Sequence, residues 1–369
     1  MLSYQIKKVK LKNLQSFVNS YLFINSDVIP ISKNRVVSYL NNPRANEEDY
    51  VLYIAIYNDK IIAFRTLLSD KIFYKSYKYK FAWFSGSWVH PKYRRIGIST
   101  KLMNEAFKDW EQKLMYTNFA PSSKLLYDKS GKFVLLKVKK GIRLYFNIRL
   151  TDLLIPKFNS LKQIIHIIKF IDYVLSFFLY PLRYIINKNN IRHLNNAEIT
   201  NSFTDSHYDF IKKHNQSLFR REKKEYDWIF EFPWITTVKE ETKPYPFSVC
   251  DKIFYYKVFT VYDRGNIIAL ALVKVRNRKI DIPVYVSEIN KGSYLLARSI
   301  LAYAHKIRAD ILTCYTHDFV RIIKEKKGIA LYRKAIFQRY YASKQIINIL
   351  GGYEGSFDAF DGDGDNIFT

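Results

Sequence analysis

Arg94, Arg95, Gly97 and Ser99 stand within one six-residue loop, Arg94-Arg95-Ile96-Gly97-Ile98-Ser99. Before it, Phe81–Val89 is aromatic and β-branched with one glycine, and His90-Pro91 stops it, because proline donates no ladder hydrogen bond. After it, Ile98, Leu102, Ala106 and Trp110 recur at helical spacing and form a stripe that packs on a sheet. The free N–H groups and macrodipole of such a helix start favour an anion. Gly97 admits a phosphate close to the backbone, and Arg94 and Arg95 add charge. A second set of groups handles protons. Tyr127 stands near the end of a short helix that follows Leu114–Phe119, and its phenol is of a type that can donate a proton. His90, at the strand end, is a candidate base by its ordinary pKa, and the acidic cluster Glu47-Glu48-Asp49 stands ahead of Val51–Tyr57. Each acid taken singly reads more readily as a solvated loop charge.

In this order the motifs resemble the GNAT family of acetyl-coenzyme A-dependent N-acyltransferases. That family places Arg/Gln-x-x-Gly-x-Gly/Ala after a strand to cradle the coenzyme A pyrophosphate, and Arg94–Ser99 matches with Ser99 at the last small position. Asn118, Tyr127 and Gly131 match the following strand, helix and Tyr-x-x-x-Gly-Phe turn, with Lys132 inserted before Phe133. The resemblance implies that Trp88, Val89, Arg94, Arg95, Ile96, Gly97, Ile98, Ser99 and Asn118 hold acetyl-CoA as co-substrate. It also implies that Tyr127 protonates the departing thiolate, and that His90 or Glu48 takes the proton of an attacking primary amine. Direct attack needs neither a nucleophilic Cys or Ser nor a metal. The acceptor is left open between an amino sugar, a peptide amine and a small metabolite.

The elements that position these groups read as a strand at Tyr4–Val9, helices at Leu11–Leu22 and Val28–Leu40, and a hairpin of Val51–Tyr57 and Ile61–Leu68 turning at Asn58-Asp59. The central strand and its helix follow, and Val134–Val138 with Arg143–Arg149 close a first domain near Leu150. Three regions are expected: a GNAT domain over 1–150, an amphipathic helical linker over 151–196, and a degenerate GNAT-like domain over 197–369 that shapes the acceptor site. The fold class is α/β (α+β), two GNAT-like domains each with a mixed, mostly antiparallel sheet flanked by helices. In the second, strands Phe254–Tyr262, Asn266–Arg276 and Lys279–Ile289 precede a helix at Ser293–Lys306. Its loop lacks the arginine signature, although Gly292 offers an anion a close approach. This tandem form is similar to proteins of Bacteroidetes-type bacteria. The tail, Gly351–Thr369, alternates Asp and Gly without an EF-hand's ligand spacing and reads as an acidic loop docking on a basic body.

The chain of 369 residues carries 60 Lys+Arg against 33 Asp+Glu, a net +27 that favours phosphate-bearing partners. Nucleic acid is the less favoured of these, because no aromatic RNA-binding motif or helix-turn-helix stands out. A Fem-type aminoacyl transferase using charged tRNA, and a non-catalytic GNAT-like module binding nucleic acid, are the alternatives. Cys250 and Cys314 are too few for a disulfide framework and show no zinc-ligand spacing, and MLSYQIKKVK is no signal peptide, so a cytoplasmic setting is expected. In 151–196, Lys169, Asp172 and Arg183 interrupt the apolar run, so no span is expected. That segment reads as an interdomain helix, or as a helix lying at the inner membrane surface.

Overall fold

The computed structural model describes residues 3–117, 121–147, 149–155, 158–214, 217–239, 241–326, 328–351 and 364–368. In chain order its strands are β1 (Gln5–Lys10), β2 (Tyr50–Tyr57), β3 (Lys60–Tyr74), β4 (Tyr77–Val89), β5 (Leu114–Tyr116) and β6 (Phe133–Tyr145). These are followed by β7 (Glu198–Thr200), β8 (Phe254–Asp263), β9 (Asn266–Arg276), β10 (Lys279–Ser287), β11 (Ile311–Cys314) and β12 (Tyr332–Ser343). The helices that matter below are α1 (Lys33–Leu40), α2 (Ile98–Asp109), α3 (Pro121–Ser130), α4 (Ile165–Phe178), α5 (Tyr180–Ile191) and α6 (Asn290–Lys306). Each half is a mixed α/β fold, as expected.

The chain divides into two compact units that are not contiguous in sequence. Unit 1 comprises 1–139, 215–254 and 338–369, and unit 2 comprises 140–214 and 255–337. The boundaries therefore differ from 1–150, 151–196 and 197–369. Both β6 and β12 start in one unit and end in the other.

In unit 1 the strand order is β1-β2-β3-β4-β5-β12. The first four strands form an antiparallel meander, β4 and β5 are parallel, and β5 pairs antiparallel with the end of β12. Both hairpin turns take two residues of positive φ, Asn58-Asp59 and Lys75-Ser76, the geometry that suits the twist of paired strands. One face of the sheet buries Ala55, Ala63, Leu67, Ala82 and Phe84 against Ile98, Leu102, Met103 and Ala106 of α2. Strand alternation sends Phe81 and Trp83 to the other face. There Phe219 packs on both, with ring centroids at 5.7 and 5.0 Å. On the same unit Trp228 and Trp234 donate to the Ser38 carbonyl and hydroxyl at the end of α1, and Phe368 stacks on Trp234 at 4.9 Å. Arg44, buried, bridges Asp70 (2.6 Å) and Glu225 (3.0 Å). Sequence-distant segments thus complete this core.

Three sequence expectations change locally. Leu11–Leu22 is no single helix but a 3-10 turn followed by two short helices, Leu14–Val18 and Tyr21–Ile24, because Ser20 is extended. Val28–Leu40 is helical only from Lys33, where the Ser32 hydroxyl caps Arg35 N–H. The two strands expected at Val134–Val138 and Arg143–Arg149 are one strand, β6, extended through Gly141. A Cβ on Gly141 would lie 2.4 Å from the Tyr315 ring and 2.7 Å from the Cys314 carbonyl, so the close approach needs glycine.

Unit 2 has the strand order β7-β8-β9-β10-β11-β6. Again one parallel pair, β10 with β11, is followed by an antiparallel last strand, here Ile142–Tyr145 of β6. Helix α6 covers this sheet with Leu296, Ala297, Ile300 and Leu301. Gly292 lies inside α6, where a Cβ would meet the Ile268 carbonyl at 2.8 Å and Ala269 at 3.1 Å. Its role is helix–sheet packing, which corrects the reading of an anion approach.

Expressed alone, residues 1–150 should fail to unfold cooperatively, since Phe219, Trp228, Trp234 and Phe368 belong to unit 1's buried set. A sharp thermal transition with native near-UV circular dichroism in that fragment would contradict the unit assignment.

Candidate active site

Helix α2 begins at Gly97, whose φ of +86° is left-handed and which provides no capping side chain. Arg95 also has positive φ, +67°. The first-turn N–H groups of Ile98, Ser99 and Thr100 therefore open into a cleft of about 540 Å³ rather than into a cap. A Cβ at Gly97 would meet no atom within 4 Å, so the glycine is required by φ and faces open space. The other wall is β4. Its parallel pairing with β5 is confined to Ala82 with Leu114 and Trp83 with Met115, whereas it stays antiparallel to β3 as far as Val89. Beyond Trp83 the strand has parted from β5, and Ser87, Trp88 and Val89 line the cleft. Tyr93, Arg94, Arg95, Ser123 and Leu126 complete it. Arg94 Nε donates to the Val89 carbonyl at 3.1 Å, which pins the loop to the strand end.

Behind the loop lies a residue the sequence reading did not single out. Arg65, in the middle of β3, is fully buried and stacks over Phe84 at 4.4 Å. It donates to the Tyr127 hydroxyl at 3.0 Å and to the Ser99 hydroxyl at 3.2 Å. Its Nε has no hydrogen-bond partner and no carboxylate pairs with it among the described residues. A buried, uncompensated guanidinium is costly, and it is held here by two hydroxyls and an aromatic face. This also explains Ser99 at the position where the family has Gly or Ala: its hydroxyl accepts from Arg65. Because Tyr127 accepts from Arg65, its own proton is left to donate elsewhere. Tyr127 itself is buried, parallel to Phe84 at 5.6 Å and 4.3 Å from Tyr116.

The remaining expectations divide. Trp88, Val89, Arg94, Arg95, Gly97, Ile98 and Ser99 are brought together in the cleft, whereas the exposed Ile96 is not among its lining residues. Asn118 lies outside the described residues. His90 stands between Trp88 and Tyr93, at 5.9 and 5.5 Å, and its Nδ1 accepts the Lys92 N–H at 3.2 Å. Glu48 is not in the cleft. It lines a separate depression with Asp49, Lys80 and Asp109, and pairs with Lys10 at 2.6 Å and with Lys12. Hydrogen bonds from Lys10 and then Lys12 pull its pKa down to about 2, so it is a poor base. Asp49 is buried by its bonds to Ser69, Asn46 N–H and Lys80. Another carboxylate, missed from the sequence, does reach β4. Asp365 accepts from the Ser85 hydroxyl at 2.6 Å. Ser85 is the extra residue where the β3–β4 register shifts between Thr66 and Leu67. The described part of the tail, 364–368, thus docks within unit 1. The charge in β3's otherwise apolar run was a signal for Arg65; nothing local pointed to Asp365.

Residues 18–123, within unit 1, match the model of the acetyltransferase (GNAT) family. No curated protein matches the chain in sequence. Among solved structures, N-myristoyltransferase of Saccharomyces cerevisiae with bound myristoyl-CoA is similar in fold, at 10% identity over 93% of this chain and 83% of that one, with a TM-score of 0.52. A second structure of that enzyme gives 12% identity, 93% and 79% coverage and a TM-score of 0.50. A putative acetyltransferase from Pyrococcus horikoshii gives 12% identity, 93% and 90% coverage and a TM-score of 0.46.

Glu48 offers a direct check on the electrostatics. Its side-chain carbon resonance should titrate near pH 2, and replacing Lys10 and Lys12 with Met should move the midpoint up toward about 4.3. Since the folded value lies below the unfolded one, the pairing contributes stability at pH above the ordinary carboxylate range and loses it as pH falls toward 2. A midpoint near 4.3 in the unsubstituted protein would show that the lysine pairs do not persist in solution.

Proposed function

We propose that this protein is an N-acetyltransferase that moves an acetyl group from acetyl-CoA to a primary amine, an amino sugar or a peptide amine, by direct attack. The observation that carries the reading is the union, in one cleft, of an uncapped helix N-terminus, two arginines that form no ion pair among the described residues and the parted edge of β4. The N–H groups of Ile98, Ser99 and Thr100, with Arg94 and Arg95, would bind the pyrophosphate. Pantetheine would lie along Ser87–Val89, where β4 lacks β5. The GNAT-family match over 18–123 supports the reaction class, and unit 2, with the same strand order but no such cleft loop, reads as a second, degenerate copy beside one cofactor site per chain. A reducing, cytoplasmic setting suits two cysteines that are not joined in a disulfide.

In this reading the amine lone pair attacks the thioester carbonyl carbon and the carbon–sulfur bond breaks. The thiolate takes the proton that Tyr127 has free, with Arg65 holding the phenol oxygen in place. The amine's proton passes to a base, for which His90, against the cleft residues Trp88 and Tyr93, and Asp365, at the β4 register shift, are the candidates.

Calorimetry with coenzyme A tests the cleft. Binding should be measurable in the wild type and lost in Gly97→Glu, because a carboxylate enters the phosphate cradle and the φ of +86° strains any side chain there. Equal heats for both proteins, or none for either, would remove the assignment. Tyr127→Phe should lower turnover of acetyl-CoA by about 10²-fold while leaving coenzyme A affinity nearly intact. Arg65→Met, which replaces a buried charge by an apolar chain of similar volume, should keep or raise the melting temperature yet slow turnover. Wild-type turnover in both variants would return the pair to a structural role.

A further inference from the structure

Unit 2 holds a two-helix segment that the acyl-transfer reading does not use. Along α4, Ile167, Phe170, Ile171, Val174, Phe177 and Phe178 recur at three- and four-residue spacing on one face. Phe170 is 67% exposed, Phe177 70% and Phe178 72%, values found for polar surface residues rather than core phenylalanines. Only Ile168 and Asp172 of α4 are buried. The exposed apolar surface continues on α5 through Tyr180, Leu182, Tyr184 and Ile185.

Along the segment itself the charges are mostly of one sign. From Ile155 to Asn196 the chain has Lys157, Lys162, Lys169, Arg183, Lys188 and Arg192, against a single acid, Asp172. That acid is turned inward, where it accepts from the Leu150 N–H (2.5 Å), the Thr151 N–H (3.1 Å) and the Thr151 hydroxyl (2.7 Å). Lys162, Lys169, Lys188 and Arg192 are exposed. An apolar stripe with aromatic rings, edged by cations and with the segment's own acid turned inward, is the composition that settles at a lipid headgroup boundary. A second copy of the chain would bring the same cations to the contact and be repelled.

We propose that the outward face of α4 and α5 is a docking surface for an anionic lipid bilayer, with the phenylalanines entering the acyl boundary and the lysines meeting the headgroups. The helices lie on the membrane and do not cross it. At 14 residues α4 is about 21 Å long, short of the roughly 30 Å hydrocarbon core. Among the described residues no single helix is long and apolar enough to cross; α4 and α5, which pass that test only as a pair, are bent by 50° at their junction. The inference stands on unit 2 alone and does not depend on the acetyltransferase reading.

Co-sedimentation of the full chain with vesicles tests it. The protein should pellet with phosphatidylcholine–phosphatidylglycerol vesicles at about a 3:1 ratio, bind phosphatidylcholine alone far more weakly, and release as salt rises. Phe170→Ser with Phe177→Ser should cut the bound fraction about tenfold, and Lys162→Glu with Lys169→Glu should remove the preference for the anionic vesicles. All four side chains are exposed, so unchanged circular dichroism and melting temperature are expected in both variants. Absence of pelleting, or wild-type binding by the phenylalanine variant, overturns the proposal. Binding that survives alkaline carbonate extraction overturns it in favour of an embedded bent pair. A concentration-dependent dimer that the phenylalanine variant abolishes, without vesicle binding, overturns it in favour of a second copy.

Discussion

Strand β4 has to satisfy two neighbours on different terms, and the cleft is what results. Toward β3 it pairs antiparallel over its whole length, from Tyr77 to Val89. Toward β5 it pairs parallel, and only at Ala82 and Trp83. A parallel strand must return through a crossover, here the loop and α2, so the segment that leaves β4 turns back over the same edge it has just left unpaired. The helix N-terminus is thereby set beside free strand-edge groups. A longer β5 would close the gap, and a tighter loop would cap the helix; neither is present.

Holding that edge open places polar groups in the interior, and unit 1 manages them with buried cations. Arg44 is neutralised by Asp70 and Glu225. Arg35 donates to Tyr39 (2.7 Å) and Thr66 (2.8 Å), with Asp365 acting on it electrostatically. Arg65 has hydroxyl partners and, among the described residues, no carboxylate. The first is what stability alone would select, since a missing partner would leave a charge stranded. The last is costly for the fold and lies behind the cleft loop, held by two hydroxyls and the face of Phe84.

Unit 2 shows how the same strand order is used without the loop. Its parallel pair and returning last strand repeat the plan of unit 1, yet α6 begins at Asn290 with Gly292 pressed onto β9. The glycine that faces open space in one unit is consumed by helix–sheet contact in the other. Each sheet also takes its last strand from a piece of chain distant in sequence, Gln338–Ser343 of β12 for unit 1 and Lys140–Tyr145 of β6 for unit 2.

The sequence by itself determined the elements whose signals are local. The paired positive-φ turn at Asn58-Asp59, the proline stop after Val89 and the 3.6-residue stripe of α2 depend on neighbours a few residues away, and so does the loop Arg94–Ser99. Seven of its expected cofactor residues meet in one cleft for that reason. Tertiary structure decided what depends on distant chain. Glu48 is claimed by Lys10 and Lys12, which pattern reading had no means to pair with it. Arg65 meets Tyr127 and Ser99 only because β3 passes beneath α2 and α3, and Asp365 reaches Ser85 across 280 positions. The units interleave for the same reason: strand pairing rewards edge complementarity and burial, and neither is ordered along the chain.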